Sequence, residues 1–234
     1  MVDDRLSGRR SAPTPLGRAS VAQVDPDEVR RKMRLDYIRS KNDKPFKVLE
    51  ALQGLLSHFQ KPELDINGLL QEAADLIHKQ FGLRTVTIGL RSKFDGKYRY
   101  VINSGLRPEP WEQHQQITYG IEDFQNFERF NGFEISRLTR IYLEEQNPMT
   151  AEERKIYNRP ALLDLKRRGL DENLEADYLD VLIKGTEDTL LGWIEISGTI
   201  GGKLPDSMTI KNIETISMIL AAALMCKDAS QPGG

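Results

Sequence analysis

The amino-acid sequence predicts an α+β domain, with an antiparallel sheet built from hairpins and helices before and after it. Three observations carry this expectation. The runs Tyr178-Leu-Asp-Val-Leu-Ile-Lys184 and Leu190-Leu-Gly-Trp-Ile-Glu-Ile-Ser-Gly198 alternate like strands on either side of the polar turn Gly185-Thr-Glu-Asp-Thr189. A second pair of alternating runs, Arg84 to Arg91 and Tyr98 to Gly105, is joined across Asp95-Gly96, the signal of an antiparallel hairpin and not of a βαβ crossover. Helical periodicity precedes the first hairpin and follows the second.

Taken in order, residues 1–25 hold few large apolar side chains among Arg9-Arg10, Pro13, Pro15 and Gly17, so burial would not offset the entropy of folding and a disordered tail is expected. Asp25-Pro26-Asp27-Glu28 opens a charged lead-in helix over 26–44, acids first and bases later, as the helix dipole favours. The domain proper is expected over 45–228, with a flexible C-terminus at 229–234. Val48, Leu52, Leu55 and Phe59 recur at helical spacing until Lys61-Pro62. Asp65 then caps a second helix whose buried side is Ile66, Leu69, Leu70, Ala73, Ile77 and Phe81, and Gly82 ends it.

Beyond the first hairpin, residues 107–132 scatter Trp111, Tyr119, Phe124, Phe127 and Phe130 among polar residues without a period, which reads as loops and short helices. Phe133 to Leu143 reads as one strand. Thr150-Ala-Glu-Glu153 has the form of a capping box, and Pro160-Ala-Leu-Leu-Asp-Leu-Lys-Arg-Arg-Gly169 that of a short helix. After the last hairpin, Pro205 leads a closing helix with an apolar stripe of Ile210, Ile213, Ile216, Leu220 and Ala223.

Composition narrows the function classes. With 33 basic and 35 acidic residues among 234, no net field concentrates nucleic acid or an anionic membrane. The longest uninterrupted apolar run, Met218 to Cys226, is shorter than the roughly 20 residues that span a bilayer, and no signal sequence opens the chain, so a cytoplasmic protein is expected. The single cysteine, Cys226, makes no intramolecular disulfide and sits late on an apolar helix, where a small buried hydrophobe is the simpler reading.

The order helix, helix, hairpin, irregular segment, strand, hairpin, helix resembles a GAF domain over about residues 45–226. Leu69 to Ile77 with Phe81-Gly82 and Val86-Thr-Ile88 are similar to the family's opening helix and first strand, and Tyr98 to Leu106 to its second strand. Asp180-Val-Leu-Ile183, Leu191-Gly192 and the helix after Leu204-Pro205-Asp206 are similar to its last hairpin and helix. The Tyr-Leu-Asp-Val and Trp-Ile-Glu-Ile strands look most like stand-alone prokaryotic, particularly archaeal, members. The resemblance implies a twisted antiparallel sheet of five or six strands, with the terminal helices on one face and short helices, loops and a ligand cavity on the other. It implies an intracellular signalling module that senses an unidentified small molecule and acts through a helix-mediated homodimer or a signalling partner.

The alternation agrees with such a division. Leu179, Val181 and Ile183 share a side with Ile194 and Ile196, and the other side carries Asp180, Leu182, Trp193 and Glu195. Asp180, Trp193 and Glu195 are therefore the leading candidates for a pocket wall, joined by Leu182, Trp111, Tyr119, Phe124, Arg137 and Tyr142, although each aromatic is equally readable as core beneath a lid. The alternatives are a ligand-free interaction scaffold and, less favoured, an enzyme on the same fold.

Catalytic signatures are weak. Glu144-Glu145, Glu152-Glu153, Asp171-Glu172, Glu175 and Asp177 read as solvated acids at helix starts and turns. His58, His78 and His114 lack zinc-ligand spacing, and His58 and His78 read as helix edges. Gly198-Thr-Ile-Gly-Gly-Lys203 is one residue short of a phosphate loop and continues with Leu204. Ser92-Lys-Phe-Asp-Gly96 reads as a hairpin turn and not as the cyclic-nucleotide signature of some GAF domains, and one cysteine excludes the methionine-sulfoxide chemistry of others. No metal or nucleotide motif and no catalytic constellation is expected.

Overall fold

The computed structural model describes residues 26–40, 43–125, 130–147 and 149–230. The tail expected at 1–25 and residues 231–234 of the expected C-terminal extension lie outside these, as does Phe127. Helix α1, Pro26–Ser40, has Asp27 and Glu28 in its first turn and Arg39 in its last, and the side chains of residues 27–39, Met33 and Leu35 included, are exposed. It belongs to a unit of its own, residues 1–43.

The second unit begins at residue 44. Helix α2 spans Lys44–Ser57, a single 3-10 turn follows at His58–Gln60, and helix α3 spans Ile66–Phe81. Asp65 caps α3 by accepting the Gly68 N–H at 3.0 Å, and Gly82, at φ 65°, takes the left-handed conformation that closes it. Strands β1 (Leu83–Arg91) and β2 (Tyr98–Ser104) form the first hairpin, and helices α4 (Pro108–Gln116) and α5 (Ile121–Gln125) follow. Strands β3 (Gly132–Glu134), β4 (Thr139–Tyr142), β5 (Tyr178–Lys184) and β6 (Leu190–Thr199) come next, and helix α6, Ser207–Ser230, ends the described chain. The six strands form one antiparallel sheet in the order β2-β1-β6-β5-β4-β3.

Helices α3 and α6 cover one face of this sheet, and α2 packs on both of them. Leu69, Ile77, Ile213 and Leu220 pack with Val86, Ile88, Val181, Ile194 and Ile196 in a single apolar cluster. Full burial of each such side chain contributes about 1.5–3 kcal/mol. The same packing consumes most of the apolar stripes expected on α2 and α6: Val48, Leu55, Ile210, Ile213, Ile216, Leu220 and Ala223 are all buried against the chain itself, Leu52 is partly buried, and Phe59 is left exposed. By length and composition alone α6 would suffice to cross a membrane, but here its stripe packs on the sheet.

Three local expectations are corrected. The run Phe133 to Leu143 is two short strands, because the Ser136 hydroxyl accepts the N–H groups of Leu138 and Thr139 at 3.2 and 3.1 Å and builds a turn where no Gly or Pro marks one. Only Pro160–Leu162 of the expected helix to Gly169 forms, as one 3-10 turn; Asp164 adopts φ 67° and gives its N–H to buried Glu144 at 2.6 Å, so a tertiary hydrogen bond overrides local helix preference. Cys226 is exposed, since residues 226–229 form the last turn of α6, where every side chain faces outward from the core.

Candidate functional site

Strand register builds the site on the face opposite the helices. Arg140 on β4 stands across from Asp180 on β5, Asp180 across from Glu195 on β6, and Glu195 across from Thr87 on β1. These four polar side chains form a row perpendicular to the strands. The row on one side of it runs Tyr142, Tyr178, Ser197 and Thr85, and the row on the other Leu182, Trp193, Gly89 and Tyr100. Gly89 is required, because a Cβ there would lie 2.0 Å from the Trp193 ring. The indole occupies that space, 1% exposed, with the rings of Tyr100, Phe124 and Tyr119 at 4.9, 5.1 and 5.6 Å. Across the polar row, Tyr142 and Tyr178 stack at 4.5 Å with 11° between their planes.

A cavity of about 950 Å³ lies over this floor, roofed by side chains from α4, α5 and the irregular segment after β4, among them His114, Phe124 and Tyr157. Its volume is that of a small-molecule pocket. Glu195 Oε2 accepts the Tyr100 hydroxyl at 2.6 Å, and the Tyr119 hydroxyl stands 3.4 Å from that of Tyr100. On α4, His114 donates Nδ1–H to the Pro110 carbonyl at 2.9 Å, which leaves Nε2 as the acceptor of the neutral ring, 4.0 Å from Glu195 Oε1.

Asp180, 6% exposed, accepts no hydrogen bond among the described residues, and its Oδ1 is buried without a partner. Thr87 Oγ1, in the same row, is buried without a partner too. Burial first and the facing Glu195 second push the Asp180 carboxyl well above the usual carboxylate range, against the opposing pull of Arg140. Burial, reinforced by Glu195, likewise raises Tyr100 and Tyr119, which stay neutral hydroxyl donors.

Of the expected site residues, Asp180, Trp193, Glu195, Tyr119, Phe124 and Tyr142 meet at this cavity. Leu182 lies on the same face but is buried beneath the aromatic cluster, and Trp111 packs against that cluster from outside. Arg137 is elsewhere: it occupies the β3–β4 turn, is exposed, and pairs with Asp188 of the β5–β6 turn. Three of the acids read as solvated are corrected as well. Glu144 is buried and accepts the N–H groups of Asp164 and Ala176, Asp177 accepts those of Glu144 and Leu174, and Glu175 pairs with Arg159, so these carboxylates fasten loops from within. His58 does not edge its helix either; it is buried and joins Glu72 of α3 at 2.7 Å.

Thr87, Tyr100, His114 and Tyr178 were not among the expected residues. Tyr100 and Tyr178 were within reach of the alternation that picked out Trp193, whereas His114 sits on a short helix with no apolar period to orient it. Among the described residues no group of three or more His, Cys, Asp or Glu side chains is placed to hold a metal ion.

No family model and no curated protein matches this sequence. Solved structures do. The chain is similar to the GAF domain of a phosphoenolpyruvate-protein phosphotransferase from Acinetobacter, at TM-score 0.50 and 12% identity over 80% of this chain and 97% of that one. It is similar also to a GAF domain/HD domain protein from Geobacter sulfurreducens, at TM-score 0.51 and 12% identity over 74% of this chain and 100% of that one. The fold is thus GAF-like, a six-stranded antiparallel sheet with helices, as the order of elements implied.

Proposed function

We propose that this is a small-molecule-sensing regulatory domain of intracellular signal transduction, acting in the cytoplasm by binding and not by catalysis. The observation that carries the reading is the buried Asp180 carboxyl group, which accepts no hydrogen bond among the described residues and lines a cavity of about 950 Å³. Native proteins rarely leave such a group unsatisfied, and an occupant that supplies the donor explains it. The GAF-like fold, shared with the GAF domain of a phosphoenolpyruvate-protein phosphotransferase, is compatible with the same reading.

Output passes through the helix layer. Leu49 and Leu56 on α2 and Met218 on α6 remain exposed, and they offer apolar surface to a second copy of the chain. Native mass spectrometry of protein isolated from its own cells tests the central claim. The expected result is a bound metabolite that Asp180→Ala and Trp193→Ala both lose. An empty cavity with a co-purifying protein would favour the interaction scaffold instead. Sedimentation with and without ligand tests the output, and a monomer in both conditions would remove the dimer from the proposal.

A further inference from the structure

The cavity floor carries chemical information about its occupant, and the inference drawn from it rests on the ligand-binding reading above. Five lining side chains are acidic and three are arginines, but position matters more than number. Arg84 donates Nε–H to the Thr199 carbonyl at 2.9 Å, Arg159 is closed on Glu175, and Arg107 is exposed. The buried floor instead presents Asp180 and Glu195 directly opposite each other on β5 and β6. Facing carboxyl groups on adjacent strands repel when both are ionised.

Two carboxyl oxygens here accept no hydrogen bond among the described residues. Asp180 Oδ1 is buried and unpartnered, Glu195 Oε1 makes no hydrogen bond among the described residues, and His114 Nε2 lies 4.0 Å from that oxygen with its ring proton committed to Pro110. Thr87, 2% exposed, adds an unpartnered hydroxyl beside Glu195. An anionic occupant would be repelled by the facing Asp180–Glu195 pair, whose ionisation a cation would favour. A group with several N–H donors and a positive charge satisfies the two carboxyl groups together. The flanking rows add aromatic rings on both sides, Trp193 and Tyr100 on one and Tyr142 and Tyr178 on the other, a setting that attracts a partly desolvated cation.

The geometry points to an organic cation as the occupant, its ammonium or amidinium group seated between Asp180 and Glu195 and its apolar part against Trp193. The N–H groups of the ligand fill Asp180 Oδ1 and Glu195 Oε1, and Thr87 turns its hydroxyl to whatever polar atom lies beside them. Tyr100 stays on Glu195 Oε2 throughout, so the site closes around the cation without breaking an existing hydrogen bond.

The test uses the full chain and a matched series: benzylammonium and benzamidinium as cations, benzyl alcohol as the neutral counterpart, benzoate as the anion. Calorimetric titration and the melting temperature are read together, since a ligand selective for the native state raises the latter. The expected result is binding of a cation at least about tenfold tighter than of the alcohol or benzoate, with a further loss of about tenfold or more in Asp180→Asn and in Glu195→Gln. Unchanged near-ultraviolet circular dichroism shows that both variants are folded. Equal or tighter binding of the alcohol or benzoate, abolished by Trp193→Ala, would overturn the cation while keeping the ligand cavity. Cation binding that survives both carboxamide variants would do the same. No binding of any probe at millimolar concentration would overturn both readings.

Discussion

Two buried carboxylates lie on opposite sides of the same sheet, one backbone position apart at β4. On the helix side, Glu214 of α6 is 5% exposed and accepts the hydroxyls of Thr139 and Ser136 and the ammonium group of Lys211. On the cavity side, Asp180 is 6% exposed, faces Arg140, and its side chain accepts no hydrogen bond among the described residues. Burial raises the cost of charge at both, yet Glu214 is held below the usual carboxylate range because its hydrogen bonds outweigh desolvation, while Asp180 is pushed above it. Burial alone therefore does not mark a functional group. What distinguishes the two is satisfaction: Glu214 accepts hydrogen bonds from three side chains, and Asp180 accepts none among the described residues.

The difference is broken most severely from the helix side. Ile194 is fully buried in the helix-face cluster, and Ile194→Ala removes packing that nothing else can refill; the expected loss is about 2–5 kcal/mol, read as a lower urea midpoint. A loss below about 1 kcal/mol would mean that this face is as loosely filled as the other. Gly89→Ala strikes the boundary between floor and aromatic row, since the new methyl meets the Trp193 ring at 2.0 Å. Displacement of the indole is expected to cost about 1–3 kcal/mol and to shift Trp193 fluorescence. An unchanged spectrum would show that the ring is not seated over Gly89.

Much of the helix face was legible in the sequence, because apolar alternation on β5 and β6 and a 3.6-residue period on α3 and α6 each report which side is buried. The cavity face was legible only strand by strand. Alternation put Asp180 and Glu195 on one side, but that they stand opposite each other depends on the register, which the Gly185–Thr189 turn and an irregularity after Ile183 set jointly. Arg140 and Thr87 join the row from strands far away in the chain, and no local pattern announces them. Arg137 was drawn in because Phe133 to Leu143 read as one strand, and the Ser136 turn that breaks the run also carries Arg137 out to Asp188. His114 and Tyr157 belong to segments without period, so only the folded chain brings them over the floor.

The cavity face makes an opposite prediction about stability. The ordinary Asp value is 3.8, and between it and the raised native value the folded chain holds a proton that the unfolded chain has lost. Stability from this group therefore falls as pH rises above the ordinary carboxyl range. Asp180→Asn removes the ionisation and is expected to stabilise the ligand-free protein by about 1–3 kcal/mol at pH 8, with a gap that shrinks toward pH 4. In a chain of 234 residues each kcal/mol corresponds to about 2–4 °C in melting temperature. A variant that melts lower than the parent at pH 8 would show that Asp180 is satisfied in the absence of ligand.

Glu214 supplies the mirror image and the smallest effect. Its hydrogen bonds to Thr139 and Ser136 fix the helix layer to the turn and first residue of β4, and the next residue, Arg140, lies in the polar row of the cavity. Because its native value lies below the ordinary 4.5, the unfolded chain takes up a proton first as pH falls, and the contribution is present above pH 4.5 and lost below it. Glu214→Gln keeps the size and an acceptor but not the charge, so the expected cost is about 1 kcal/mol at pH 7, shrinking as pH falls below the ordinary carboxyl range. Urea midpoints of parent and variant across that range measure it. Paired with Asp180→Asn, the two carboxamide substitutions should change stability in opposite directions at pH 7 and converge in acid. If both curves moved the same way, the two faces of the sheet would not differ in how they hold a buried carboxylate, and the empty acceptor on the cavity side would lose its meaning as the mark of a missing ligand.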